Sequence, residues 1–218
     1  MRLTLTTFLT LDGVMQAPGD PNEDPEGFRY GGWQVPFADD DMARLVAAWF
    51  ESAGAFLLGR KTYEIFAGYW PRVTDENDPV ASRLNRLPKY VASTTLQSLD
   101  WANSHLLRGD VAEAVKRLKA QPGHELQVHG SGRLAQTLIA NDLVDEYRLW
   151  TYPLLLGGGK RLFRDREAGA TLRLVESRTT STGVVVSTYQ PVGPVHSGSF
   201  PIQDGRLTHG DEAFWARR

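Results

Sequence analysis

The sequence predicts an α/β fold with a mixed, mostly parallel sheet flanked by helices and a C-terminal antiparallel hairpin. Three observations predict it. Apolar runs of strand length alternate with segments whose apolar residues recur every three or four positions. Glycines punctuate the ends of those runs. Near the end, two β-patterned stretches, 171–176 and 184–189, follow one another with no helix between them. Strands that alternate with helices need a parallel sheet covered on both faces, and the hairpin adds antiparallel strands.

Taken in order, residues 1–8 alternate apolar and polar side chains, a strand pattern unlike the apolar run of a signal peptide. A long loop follows, 12–33, rich in Pro (18, 21, 25) and Gly (13, 19, 27, 31, 32). Loops of that length inside a compact domain usually serve as lids or binding loops. In 39–53, Met42, Leu45, Val46, Trp49 and Phe50 stripe one helical face, and Gly54 ends it. The apolar run 55–58 is a buried strand, and 62–66 and 78–87 are short helices. Residues 89–92 form a strand that ends in Ser93-Thr94-Thr95. Over 110–120, Asp110 can cap a helix with Glu113 three residues on. Strand 125–129 runs into Gly130-Ser131-Gly132, and Leu134, Leu138 and Ile139 mark the helix after it. A strand over 146–156 is closed by Gly157-Gly158-Gly159, and Ser181-Thr182-Gly183 turns the hairpin. Residues 1–190 read as one domain, and 191–218, without periodicity, as a C-terminal extension or tail.

Composition bounds the function. The chain has 218 residues, 24 Lys plus Arg against 26 Asp plus Glu, and no Cys. Without Cys there is no disulfide scaffold, Cys-ligated zinc, iron–sulfur cluster or thiol nucleophile. The net charge of −2 argues against a protein that grips nucleic-acid phosphates. No run of about 18 apolar residues exists, so neither a membrane span nor a membrane partner is expected, and cytoplasm is the expected location. The His residues are scattered with no H-x-x-x-H pair, so no metal site is expected.

Two local patterns point to phosphate. In Leu58-Gly59-Arg60-Lys61-Thr62 a buried strand ends at a glycine, and a helix opens with two cations and a hydroxyl. Free N–H groups at a helix start attract anions. Cations there oppose the helix dipole, which a bound phosphate would offset; a solvated Arg-Lys pair is the plainer alternative. Val128-His129-Gly130-Ser131-Gly132-Arg133-Leu134-Ala135 repeats the strand–glycine–helix arrangement and fits a loose G-x-G-x-x-(G/A) fingerprint. It falls late in the chain and lacks the acid expected about twenty residues on, so a Rossmann fold is disfavoured; a tight turn with Ser131 as N-cap is the alternative. The hydroxyls of Ser93 and Thr94 can bind phosphate or cap a turn. Gly157-Gly158-Gly159-Lys160 is not a P-loop; its glycines either admit a ligand close to the backbone or permit a bulge. Asp12, at the end of the first strand, and Asp39, Asp40 and Asp41, at the first helix start, are the carboxylates for proton transfer or substrate orientation; plain turn and cap roles are the alternatives.

Together these pieces resemble the dihydrofolate reductase-like superfamily. The matching segments are Leu11-Asp12-Gly13, Leu58-Gly59-Arg60-Lys61-Thr62-Tyr63-Glu64, Tyr90-Val91-Ala92-Ser93-Thr94, Val128-His129-Gly130-Ser131-Gly132, and Pro153-Leu154-Leu155-Leu156-Gly157-Gly158-Gly159 with Phe163. The branch is similar to the C-terminal reductase domain of the bacterial riboflavin-biosynthesis deaminase/reductase. The resemblance implies NADPH across the carboxyl ends of the sheet. It assigns Gly59, Arg60, Lys61, Thr62, Ser93 and Thr94 to the phosphates of the adenosine half, and Gly130, Ser131 and Gly132, with Leu134, to the cofactor beside them. Loop 12–33 corresponds to the mobile loop over the nicotinamide, and Gly157 and Gly158 fall to the substrate side. Asp12 and Asp40 are the candidate catalytic acids. The Cys ligands of the deaminase domain are absent, so a stand-alone reductase is expected, similar to dihydrofolate reductase and 5-amino-6-(5-phosphoribosylamino)uracil reductase. It would act on a small heterocycle or a carbonyl or imine compound, as a homodimer. A non-catalytic nucleotide- or ligand-binding protein of the same fold is the alternative.

Overall fold

The computed structural model describes residues 1–24, 26–164 and 169–199, with the backbone of 202–203 and 206–207. Its elements are β1 (Leu3–Thr10), α1 (Asp40–Glu51), β2 (Ala53–Gly59), α2 (Arg60–Tyr69), α3 (Pro79–Arg86), β3 (Lys89–Ala92), β4 (Ser104–Leu107), α4 (Val111–Lys119), β5 (Glu125–His129), α5 (Gly132–Ala140), β6 (Glu146–Tyr152), β7 (Thr171–Thr179) and β8 (Val185–Gly193). The strands form one sheet in the order β4-β3-β2-β5-β1-β6-β8-β7. Strands β1 to β6 are parallel to their neighbours among them. β8 runs antiparallel to β6, and β7 antiparallel to β8. This is the predicted mixed sheet with its terminal hairpin.

The period-2 pattern of the strands sorts their side chains between two faces. Leu3, Leu5, Leu57, Leu126, Val128 and Leu149 pack with Val115 and Leu118 of α4 and Leu134, Ala135 and Leu138 of α5. On the other face, Phe56, Leu58 and Val91 pack with Phe50 of α1, Tyr63 of α2 and Leu84 of α3. Asp110 caps α4, accepting from the Glu113 N–H at 3.1 Å as its sequence predicts. The structure departs from the sequence reading at several points: α2 spans Arg60–Tyr69 where 62–66 is expected, and β7 runs to Thr179, past 176. β4 was not expected, because four residues carry too short a pattern; pairing with β3 makes it a strand. β6 ends at Tyr152, not 156. β8 continues to Gly193, past the domain end expected at 190. The remaining tail falls largely outside the described residues. Among those described, no helix is long and apolar enough to cross a membrane.

Two buried cations hold the layers. Arg148 of β6 reaches across β1 to Glu125 of β5, pairing at 2.9 and 2.6 Å, and its Nε donates to Glu146 at 2.9 Å. Trp49 of α1 lies over its guanidinium, 5.2 Å from the ring centre. Lys89 of β3 is fully buried. It donates to the carbonyls of Leu84 and Leu87 at 2.6 and 3.0 Å, closing the end of α3, with its Nζ 4.4 Å from the Trp101 ring centre. Burial pulls its pKa from 10.5 to about 8.

Two predictions follow from these cations. Arg148→Met leaves the largely covered Glu125 without its cation and should lower stability by about 2–4 kcal/mol in urea titrations, with Glu125→Gln recovering part of the loss. For Lys89, the folded state releases the proton near pH 8 and the unfolded chain near 10.5. Between those values the unfolded chain holds more protons, so stability rises with pH. The unfolding free energy of wild type minus that of Lys89→Met should therefore become more positive as pH rises across that window, by up to about 3.4 kcal/mol.

Candidate functional site

The strand order turns motifs far apart in sequence into one line. At the carboxyl edge, β3, β2, β5, β1 and β6 present in turn Ser93-Thr94, Gly59-Arg60, Gly130-Ser131, Asp12 and the segment 153–157. From β3 to β1 is three strand spacings of about 4.8 Å, roughly 14 Å. Ligands of open α/β sheets bind along this edge.

The two glycine turns are joined by one hydroxyl. Ser131 Oγ accepts from the Gly59 N–H at 2.9 Å and donates to Thr62 Oγ1 at 2.7 Å. Ser131 stands at the N-cap of α5 with φ 63, but its side chain makes no cap bond there. Its hydroxyl is spent on the neighbouring turn, which corrects the simple capping role. A Cβ on Gly59 would stand 3.2 Å from both Ser131 Cβ and Oγ, tighter than normal contact, so glycine admits this approach. Neither α2 nor α5 has a side-chain cap, which leaves their first N–H groups for another acceptor. The Cβ position of Gly130 faces open space.

The other assigned residues fall around this core. Arg60 is exposed and pairs with Glu64 at 3.7 Å. Ser93 Oγ accepts from the N–H groups of Thr95 and Leu96 at 3.2 and 3.0 Å, and Thr94 is exposed. Gly132 lies under Met15, whose Sδ is 3.5 Å from where a Cβ would stand. Leu134 is buried in the core beneath the turn.

Asp12 ties two loops together. Its carboxylate accepts from Thr10 Oγ1 at 2.5 Å and from the N–H groups of Gly157 and Leu156 at 2.9 and 3.3 Å, with Arg161 Nη2 at 3.7 Å. The Thr10 hydroxyl, opposed by burial and aided by these N–H groups, holds its pKa below the usual value. Gly157 and Gly158 are exposed. Asp39 caps α1 through the Met42 N–H at 2.8 Å and accepts from Ser181 Oγ at 2.7 Å. Those bonds bring its pKa to about 2. Asp41 accepts from the Ser181 N–H at 3.0 Å, so the start of α1 is fastened to the β7–β8 turn. Asp40, between them, is exposed. Beyond β1, the rings of Phe8, Trp33, Phe37 and Tyr152 pack edge to face, and the Tyr152 hydroxyl donates to Gln34 Oε1 at 3.1 Å.

Sequence reasoning did not single out Asp24, Glu26, Lys160 as a side chain, or Arg161. Asp24 is nearly buried, accepting from Lys160 Nζ and Gln16 Nε2, each at 2.7 Å. Lys61, assigned to phosphate, lies 3.9 Å from Asp24 and 3.7 Å from Glu26. No local signal marks these residues, since charges in a loop ordinarily read as solvated.

The RibD C-terminal domain family matches residues 2–186. An uncharacterized protein of Bacillus subtilis, YyaP, is 30% identical over 192 residues, covering 86% of this chain and 94% of its own. The fold matches a candidate riboflavin biosynthesis protein from Shewanella sp. PV-4 with a TM-score of 0.67 at 21% identity, covering 88% of this chain and 99% of that one. A deaminase/5-amino-6-(5-phosphoribosylamino)uracil reductase from Thermotoga maritima matches at 0.59 and 15% identity, over 88% of this chain and 56% of its own.

Replacing Ser131 tests the joint between the turns. Ser131→Ala strands the Gly59 N–H and should destabilise the protein by about 1–2 kcal/mol in urea unfolding. Ser131→Gly loses the same bond but relieves the left-handed backbone, so its loss should be smaller.

Proposed function

From the premise that the chain belongs to the RibD C-terminal domain family, we propose that it is an NADPH-dependent reductase. The acceptor would be a small heterocycle, pterin- or aminopyrimidine-like, or a carbonyl or imine compound. The observation that carries this reading is the Ser131 joint, which sets two uncapped helix starts side by side on the carboxyl edge.

The residues fit a dinucleotide. The open space over Gly130 lets a pyrophosphate approach backbone N–H groups. Arg60 and Lys61, with Thr94 beside them, supply cations and a hydroxyl suited to a 2′-phosphate. The hydride chemistry is the cofactor's own; the chain contributes orientation and exclusion of water. Asp12 acts here as a positioning residue. Its carboxylate stays ionised at neutral pH while it locks the end of β1 to the 156–157 turn. A proton for the product would then come through water, with exposed Asp40 orienting the acceptor. A second reading, a ligand-binding protein that does not turn over, is favoured by the Asp12 carboxylate being taken up by Thr10 and the N–H groups of Leu156 and Gly157. The reductase reading also carries a cytoplasmic location and a homodimer. The dimer is supported by β7, an edge strand largely exposed along its length.

NADPH titration followed by Trp fluorescence tests binding, and no response at millimolar cofactor would overturn both readings. NADPH oxidation with pterins, aminopyrimidines and quinones separates them. Arg60→Ala should weaken NADPH roughly 10–100-fold and NADH far less, as loss of a charge-assisted phosphate contact predicts; equal weakening would reject the 2′-phosphate role.

A further inference from the structure

Loop 12–33 crosses the glycine turn and lands on α2. It leaves β1 pinned to the 159–161 segment: the Met15 N–H donates to the Lys160 carbonyl at 2.8 Å, and Val14 bridges Arg161. A Cβ on Gly159 would meet Val14 Cγ1 at 2.6 Å, so this anchor is closely packed. Met15 then lies over Gly132. The loop returns through Trp33, whose indole N–H donates to the Gln16 carbonyl at 2.8 Å. Its far landing is different in kind. Lys61 meets Asp24 and Glu26 only as ion pairs, at 3.9 and 3.7 Å, with Lys61 and Glu26 half or more exposed. Asp24 is already committed to Lys160, Gln16 and the Glu26 N–H at 2.7, 2.7 and 3.1 Å. Its carboxyl is held at about 2, chiefly by Lys160. Glu26 also faces Lys160 Nζ at 3.5 Å, but it is 72% exposed and its carboxylate makes no shorter contact among the described residues, so it is the partner that Lys61 can exchange.

We propose that Lys61 is shared between the loop and the ligand: Glu26, backed by Asp24, holds it in the empty site, and a phosphate group takes it from them. Anion binding and release of the loop's landing are then one exchange, and Glu26 sets anion affinity from outside the cradle. The coupling is reciprocal: the factor by which the Lys61–Glu26 contact weakens anion binding is the factor by which a bound anion weakens that contact. Exposed ion pairs of this kind correspond to about a 1.5- to 5-fold effect. The inference rests on the reading that the cradle takes phosphates.

The test is calorimetric titration of inorganic pyrophosphate, NADPH and NADH at low salt into wild type, Glu26→Gln, Lys61→Ala and the double variant, with hydrogen exchange on loop 12–33. Glu26→Gln should tighten NADPH, through the 2′-phosphate read onto Arg60 and Lys61, and pyrophosphate bound at the same cations, about 1.5- to 5-fold, and NADH less. The effect should vanish in the Lys61→Ala background. Saturating pyrophosphate should speed exchange in the loop of wild type and not of Lys61→Ala. An unchanged affinity in Glu26→Gln, or the same gain without Lys61, overturns the exchange while NADPH binding keeps the cofactor reading. No binding of any of the three ligands overturns both.

Discussion

The bridge from Arg148 to Glu125 crosses β1, and the arrangement of the central strands depends on it. β1 lies between β5 and β6, and the side chains it offers under α1 include Thr4 and Thr6. Their small size leaves a passage for a guanidinium. Glu125 in turn accepts from Ser52 Oγ at 2.8 Å and Gln127 Nε2 at 2.9 Å, and Gln127 also donates to the Trp49 carbonyl at 2.6 Å. With its amide nitrogen occupied, Gln127 turns its oxygen toward His129 Nε2 at 3.1 Å. Burial, and then the Arg148 charge, pull the His129 pKa to about 4, so the ring is neutral where it stacks on Phe50. One desolvated cation therefore ties together three strands already paired by their backbone ladders and links them to Trp49 of α1. Breaking such a network is far more damaging than its net contribution to stability suggests.

What that register supplies is an edge. Once β5 stands between β2 and β1, the turn after β5 must lie between the turn after β2 and the loop after β1. The Ser131 hydroxyl then needs only to reach its neighbour. Hydrogen bonds within this edge are short and directed, as at Ser131 and Asp12. The loop that crosses it is bonded to Lys160 through Asp24 at 2.7 Å but meets Lys61 of α2 only through longer ionic contacts. The rigid part thus coincides with the glycine turns at the carboxyl edge, and the weaker contact with the loop over them.

The strand and helix periods were readable because each element carries its own pattern: Leu3 and Leu5 in β1, Val115 and Leu118 in α4, Asp110 as a cap. The glycine turns were readable because a strand that ends in glycine before a helix start is a local event. β4 was not, since four residues show no period. Asp12 was recognised as a carboxylate at the end of a strand, but its saturation by Thr10, Leu156 and Gly157 was not visible. Neither was Lys61's engagement with Glu26, because both residues look like solvated charges in isolation.

The sequence by itself determined the α/β class, the terminal hairpin and the glycine turns before α2 and α5, all consequences of forces acting within a few residues. The tertiary structure alone decided which turns became neighbours and which side chains were already spoken for. Ser131 and Gly59 are 72 residues apart, and Asp12 and Gly157 are 145. A hydrogen bond across such a separation leaves no trace in local spacing; it exists only because the parallel pairing of β2, β5, β1 and β6 brings the partners to one edge.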